Sequence, residues 1–219
     1  MFAELTVIDD PIPRSGPLNM AIDEVLLGTA RSATLRFYRW NAPSASFGYF
    51  VKFAEAREIA GHRATVRRWT GGGIVPHGQD LTYSIMIGFT DDVFALPPKL
   101  IYQRVHSALS EALRKIGIEA AITETQAPKT SEACFVNPVV SDVIEDGRKI
   151  AGAAQRKTRN GLLHQGSIQR AKLDERFRTA FAALLSSQIT ADSIGAAVLD
   201  AAEELAAKKY GTAAWLHRR

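Results

Sequence analysis

The chain has 219 residues, 46% of them hydrophobic, with a formal net charge of +4 at pH 7 and one cysteine. This suffices for one sizeable core with at most a small appendage, and no run approaches the roughly 18 apolar residues that span a bilayer. A lone cysteine excludes an internal disulfide and a thiolate metal cluster, and scattered positive residues without interleaved aromatics argue against nucleic acid as a partner. The N-terminus, MFAELTVIDDPIPRSG, lacks a basic start followed by an apolar run, so the expectation is a cytoplasmic protein with a reduced thiol and no membrane partner.

In chain order, Pro17 suits a first helical turn, and Leu18, Ile22, Val25 and Leu26 give a helix through about Ala30. Four short segments read as strands: Thr34 to Tyr38, Ser44 to Phe50, Arg63 to Arg68 and Leu81 to Ile87, broken by Pro43, Gly61 and the run Gly71 to Gly73. A second helix follows Pro97 and Pro98, with Leu100, Val105, Leu109 and Leu113 at helical spacing, and stops near Gly117. A meander comes next: Val139 to Ile144, Lys149 to Arg156, then Leu162 to Ile168 after the Asn160-Gly161 turn. Helices over Asp174 to Leu185 and Ala191 to Tyr210 close the chain. Strand runs with segregated helices predict an α+β fold, divided into a domain over 1–186 and a helical extension over 187–219.

Three segments carry candidate chemistry. In RRWTGGGIVPHGQDLTYS, three glycines leaving a strand let backbone approach a ligand and converge N–H groups on an oxygen, with Arg67 and Arg68 upstream. A flexible turn with solvated arginines is the plain alternative. The strand from Lys149 is small on both faces over Ala151, Gly152, Ala153 and Ala154, leaving room for a slender ligand tail or a closely packed helix. Cys134, in a loop before Pro138, is a reachable thiol, and Lys149 is the cation that would lower its pKa if the meander folds back. A free cysteine is more often a buried small hydrophobe, and His77 and His164 suit structural hydrogen bonds as readily as a site. A thiol beside a lysine points to acyl transfer.

The ordered segments GPLNMAIDEVLL, TLRFYRWNAPSASFGYF, RRWTGGGIVPHGQDLTYS and ACFVNPVVSDVIEDGRKIAGAAQRKTRNGLLHQGSI resemble the biotin/lipoate protein ligase superfamily over about Gly16 to Ile168. They are most similar to its lipoate ligase and octanoyltransferase branch. The resemblance implies a central mixed β-sheet flanked by helices, with an acyl tunnel between the glycine loop and the lysine strand. CFVNP, Cys134 to Pro138, is similar to the CFxxP loop of cysteine-dependent octanoyltransferases.

Carried over, Cys134 is the nucleophile and Lys149 its activator, while Arg67, Arg68, Gly71, Gly72, Gly73, His77, Gly152, Ala153 and His164 bind substrate. The implied donor is acyl carrier protein. The acceptor is a lipoyl domain, such as glycine cleavage H protein or a 2-oxoacid dehydrogenase E2 subunit, and no cofactor is needed, because a thioester already stores the energy of an amide bond. The full GGG and the pair Ser141-Asp142 instead resemble lipoate ligases, which use ATP and magnesium and for which Asp142 would serve the metal. Such ligases commonly need a further C-terminal domain, and the segment after Ile168 reads as too short for one. Biotin ligase is disfavoured, since its usual glycine- and arginine-rich ATP loop is absent. A lipoyl-amidotransferase and a non-catalytic acyl-binding protein complete the alternatives. The cluster Arg156, Lys157, Arg159 offers a basic rim for acidic carriers, or an ordinary solvated hairpin tip.

Overall fold

The computed structural model describes residues 1–125, 138–170 and 173–218. Among them, eight strands form a mixed sheet in the order β11-β1-β2-β6-β10-β9-β8-β7. These are β1 (Leu5–Asp9), β2 (Ala33–Tyr38), β6 (Leu81–Gly88), β7 (Ala121–Ile122), β8 (Val143–Glu145), β9 (Arg148–Thr158), β10 (Gly161–Ile168) and β11 (Ile189–Asp192). The strands β3 (Ser44–Phe47), β4 (Ala64–Arg67) and β5 (Ile74–His77) make a second sheet with β3 central.

Helix α1 (Gly16–Thr29) starts where Ser15 caps the N–H of Leu18 and Pro17 presets the first turn. It covers one face of the large sheet, packing Met20, Ile22 and Leu26 with Tyr38, Met86 and Leu163. The opposite face carries α3 (Pro98–Lys115) and α4 (Glu175–Leu185), whose Leu109, Leu113, Phe177 and Phe181 meet Phe37, Tyr83 and Ile85. Strand β6 is buried along its whole length because both of its faces are covered. Its polar residues are consequently paired: Ser84 donates to Asp23 and Thr82 to Asp80.

Several elements differ from expectation. The segment read as helix from Ala191 begins with β11, pairing parallel to β1 from Leu5↔Ile189 to Ile8↔Asp192, and helix α5 starts only at Ala196 and runs to Leu205. All four β11 side chains are exposed, so its main-chain hydrogen bonds leave no apolar period to read. Helix α2 (Phe53–Ala60) was missed for a related reason, since only Ala56 and Ala60 are buried. The strand expected over Val139 to Ile144 shortens to β8 because Ser141 adopts φ 69° and the Asp142 carboxylate accepts the Val139 N–H, turning the chain. After α5, a wider turn over Ala206–Tyr210 leads to α6 (Ala213–Leu216), and Tyr210 and Trp215 pack into the α1-side core. No helix among the described residues is long and apolar enough to cross a membrane.

Candidate active site

The glycine turn is held, not flexible. Gly72 adopts φ +82°, and a Cβ on Gly48 would stand 1.9 Å from the Gly72 carbonyl oxygen, so only a glycine at 48 permits this approach. Main-chain bonds from Gly48 N to Gly73 O and from Tyr49 N to Thr70 O fix the crossing. Arg68 finishes it, donating through Nη2 to the carbonyls of Gly71 and Gly73 at 3.0 and 2.9 Å and through Nη1 to Ser46 Oγ at 2.7 Å.

Behind Arg68 lies a serine-histidine-aspartate array. Ser46 Oγ is 2.6 Å from His77 Nε2, and His77 Nδ1 is 2.7 Å from Asp80 Oδ2. Burial alone would raise the Asp80 carboxyl, but His77, Ser167 and the Gly78 N–H outweigh that and hold it below its usual value. The charged carboxylate fixes the Nδ1–H tautomer, so Nε2 accepts the Ser46 hydroxyl. Burial also outweighs Asp80 in lowering His77, which is therefore neutral. Ser46 Oγ is already occupied by Arg68, so the array serves to orient the arginine that grips the turn.

Lys149 rests at the other side. Its ammonium lies 2.7 Å from Asp142 Oδ2, with both side chains buried. Asp142 Oδ1 accepts the Tyr102 hydroxyl at 2.5 Å, and that hydroxyl in turn accepts the N–H of Ala153. Tyr102 thus satisfies β9 just beyond Ala151, its last residue paired to β8. A Cβ on Gly152 would sit 2.4 Å from Lys149 Cε and 2.7 Å from Nζ, so the missing side chain is the channel through which the lysine crosses the strand. Two residues on, Ala154 meets Gly72: a Cβ there would be 3.3 Å from Ala154 Cβ. On the Gly152 and Ala154 face the small residues of β9 therefore admit a lysine and a glycine turn, while Ala151 on the other face packs into the core with α3.

Between these parts lies a cavity with about 410 Å³ of empty space, including the portion open to solvent. Arg68, His77, Gly152 and Ala153 line it as expected, joined by Ser46, Gln165 and the apolar Met20, Tyr38, Trp40 and Val75. Beneath it, Gln165 accepts from Thr70 of the turn and donates to buried Asp23.

Two expected binding residues are elsewhere. The Arg67 guanidinium is spent on the carbonyls of Tyr49, Val51, Trp215 and Leu216, tying the C-terminal segment to β4. Strand alternation sends it away from Arg68. His164 is buried on the α3 side, between Tyr83 and Gln155 and beside His106. Gly71, Gly72 and Gly73 flank the cavity through the turn. Cys134 lies outside the described residues. As for a magnesium ligand, Asp142 does not fit: Tyr102 engages one oxygen, Lys149 and the Val139 N–H the other. No group of three or more His, Cys, Asp or Glu that could hold a metal occurs among the described residues.

The buried histidines make stability pH-dependent. Burial pushes His106 down to about 4 and holds His164 well below 6.5. Their folded pKa values are below the unfolded one, so acid protonates the unfolded chain first. Stability is then complete above about pH 6.5 and falls as pH drops toward 4. His106 alone should remove about 2 kcal/mol between about pH 7.5 and about pH 5, read as a shift in urea midpoint. A flat midpoint over that range would contradict a neutral buried His106.

Gly48, Ser46, Asp80 and Tyr102 belong to the site without having been expected there. Gly48, a glycine inside a strand-like run, was the one with a local signal.

The architecture matches solved lipoate ligases. A lipoate-protein ligase A bound with ATP superimposes with a TM-score of 0.75 at 22% identity, covering 99% of both chains. A bi-partite lipoate protein ligase from Thermoplasma acidophilum, solved in a study of that ligase and its E2 lipoyl domain, gives 0.69 at 22% identity over 99% of this chain and 96% of that one. At such identities the likeness establishes the fold. An octanoyltransferase LipM of Oceanobacillus iheyensis is 37% identical over 165 residues, covering 71% of this chain and 60% of the relative. The chain thus spans less than two thirds of that protein's length. The model of the lipoyl protein ligase A/B catalytic domain matches residues 15–198, which include the glycine turn, the lysine strand and the cavity between them. With most of its length in that match, the chain belongs to the lipoyl protein ligase A/B catalytic domain family.

Proposed function

We propose that the chain moves an octanoyl group from the thioester of acyl carrier protein, through a thioester on Cys134, to a lysine amine of a lipoyl domain. The observation that carries this reading is the Lys149 ammonium, buried, fixed by Asp142 and laid across Gly152, a residue that lines the cavity. In the first step the Cys134 thiolate attacks the donor carbonyl; the carrier's thiolate leaves and takes up a proton. In the second the neutral amine of the acceptor lysine attacks the acyl-cysteine. An amide forms, the Cys134 thiolate departs and the amine's proton passes to solvent. Lys149 stabilises the thiolate and the oxygen charge that develops at the carbonyl. Asp142 and Tyr102 keep that cation in place. The LipM relative supports octanoyl as the acyl group, and the E2 lipoyl domain studied with the Thermoplasma ligase supports a lipoyl domain as acceptor.

The fold likeness to ligases offers ATP-dependent lipoate ligation as a second reading. The engaged oxygens of Asp142 weigh against its magnesium requirement.

The two readings separate in an assay without ATP, following octanoyl amide on a lipoyl domain by mass. Wild-type protein should form the amide, and Cys134→Ser should be slower by at least about 10³-fold, because a serine hydroxyl is not ionised near neutral pH. Transfer that survives in Cys134→Ser would remove Cys134 from the mechanism.

A further inference from the structure

The expected basic rim is divided by the strand. Lys157 turns to the far face and donates to Phe94 O. Arg156 stays on the face of β9 that carries Gly152 and Ala154. There it meets two other cations from the C-terminal segment, around the tryptophan that opens the glycine turn. The Arg156 Cζ lies 4.7 Å from the Trp69 ring centre and 5.0 Å from that of Tyr49. Lys209 Nζ stands 4.7 Å from the same Trp69 ring, and Arg218 Cζ 5.2 Å from Tyr49.

Three cations thus share one aromatic platform. Glu24 is the carboxylate that answers them, and Lys209 and Tyr210 both hold it. Among the described residues the excess is two positive charges. Arg156 uses one N–H on Trp69 O, while its Nε is buried without an acceptor among the described residues. Gathering like charges is costly unless an anion offsets them. Aromatic faces hold guanidinium groups flat and leave their N–H edges for bidentate binding of an oxyanion.

We propose that Arg156, Lys209 and Arg218 form a phosphate-ester site that grips the phosphate joining the donor's thioester arm to its carrier. This rests on the reading of the chain as a thioester-dependent acyltransferase. Spacing supports it. Lys149 Nζ lies over Gly152, and Arg156 is four residues along the same strand face, about 13 Å at the usual rise, beyond the glycine turn that packs on Ala154. A pantetheine arm that passes over the outside of that turn joins the two, its thioester at Lys149 and its phosphate among the three cations. The site therefore selects thioesters on phosphorylated arms. A nucleotide phosphate shares this chemistry and is the competing source.

Calorimetric titration of the full chain with phosphopantetheine, pantetheine and ATP, each alone, distinguishes the sources without requiring turnover. Phosphopantetheine should bind at least about tenfold tighter than pantetheine, a loss typical of removing a charge-assisted contact. Arg218→Gln, at an exposed position, should narrow that gap severalfold, and Lys209→Gln/Arg218→Gln should close it. Equal binding of the two arms, or a gap unchanged in both variants, overturns the proposal while leaving acylation of Cys134 intact. Binding of ATP but not phosphopantetheine assigns the cations to a nucleotide and also overturns it.

Discussion

Lys149→Met should slow octanoyl transfer by about 10²–10⁴-fold, the range spanned by positioned charged groups in catalysis. It should also lower stability by about 3–5 kcal/mol. The second effect comes from Asp142, which is fully buried and loses the opposing ammonium. The two losses are separable. Lys149→Met/Asp142→Leu removes both charges together and should regain part of the stability, since an apolar pair replaces a buried ion pair at little cost while the Tyr102 hydroxyl and the Val139 N–H lose their acceptor. It should regain none of the rate. Urea midpoints and transfer rates for the two variants provide the comparison. Wild-type transfer by the double variant would show that the ion pair is only structural.

Arg36→Met should be the most destabilising single change away from the lysine, about 3–5 kcal/mol or more. Arg36 is fully buried on β2 and bonds Asp10 at 2.8 Å and Asp23 at 2.9 Å. Its removal strands two buried carboxylates, although Arg14 remains on Asp10 and Ser84 and Gln165 on Asp23. Against a total stability of roughly 5–15 kcal/mol, such a loss should leave little folded protein at physiological temperature. Arg36→Lys should not restore it, since one ammonium cannot fork between α1 and the end of β1 as a guanidinium does. Thermal melts of both variants test this. A midpoint within a few degrees of wild type would contradict the buried triad.

Legibility from sequence followed the range of the interactions. Helix α1 announced itself through Pro17 and an apolar stripe, and the β9–β10 hairpin through Asn160-Gly161, where Gly161 takes φ +148°. The glycine turn and the small lysine strand were also visible, as local backbone requirements. The supports of the site were not. Asp142 reaches Lys149 from a loop and Tyr102 reaches Asp142 from α3, and no local pattern encodes that meeting. Arg67 and Arg68 read as one basic pair, yet strand alternation gives them opposite tasks, one locking the C-terminal segment and one gripping the turn. His164 and Gln165 divide the same way: the histidine is packed under α3, and Gln165, which was not singled out, lines the cavity. Alternation could have sorted both pairs once the strands were placed. Strand β11 could not have been found so, because main-chain pairing alone holds it.

The central claim is a thioester on Cys134, and intact-mass spectrometry tests it most directly. The protein and its Cys134→Ser variant are each mixed with octanoyl-acyl carrier protein in the absence of ATP. The account predicts one octanoyl adduct on the wild type, released by hydroxylamine and absent from the variant. An unmodified wild-type protein that instead retains an acyl-adenylate when given ATP and free lipoate would contradict it and place the chain among the ligases.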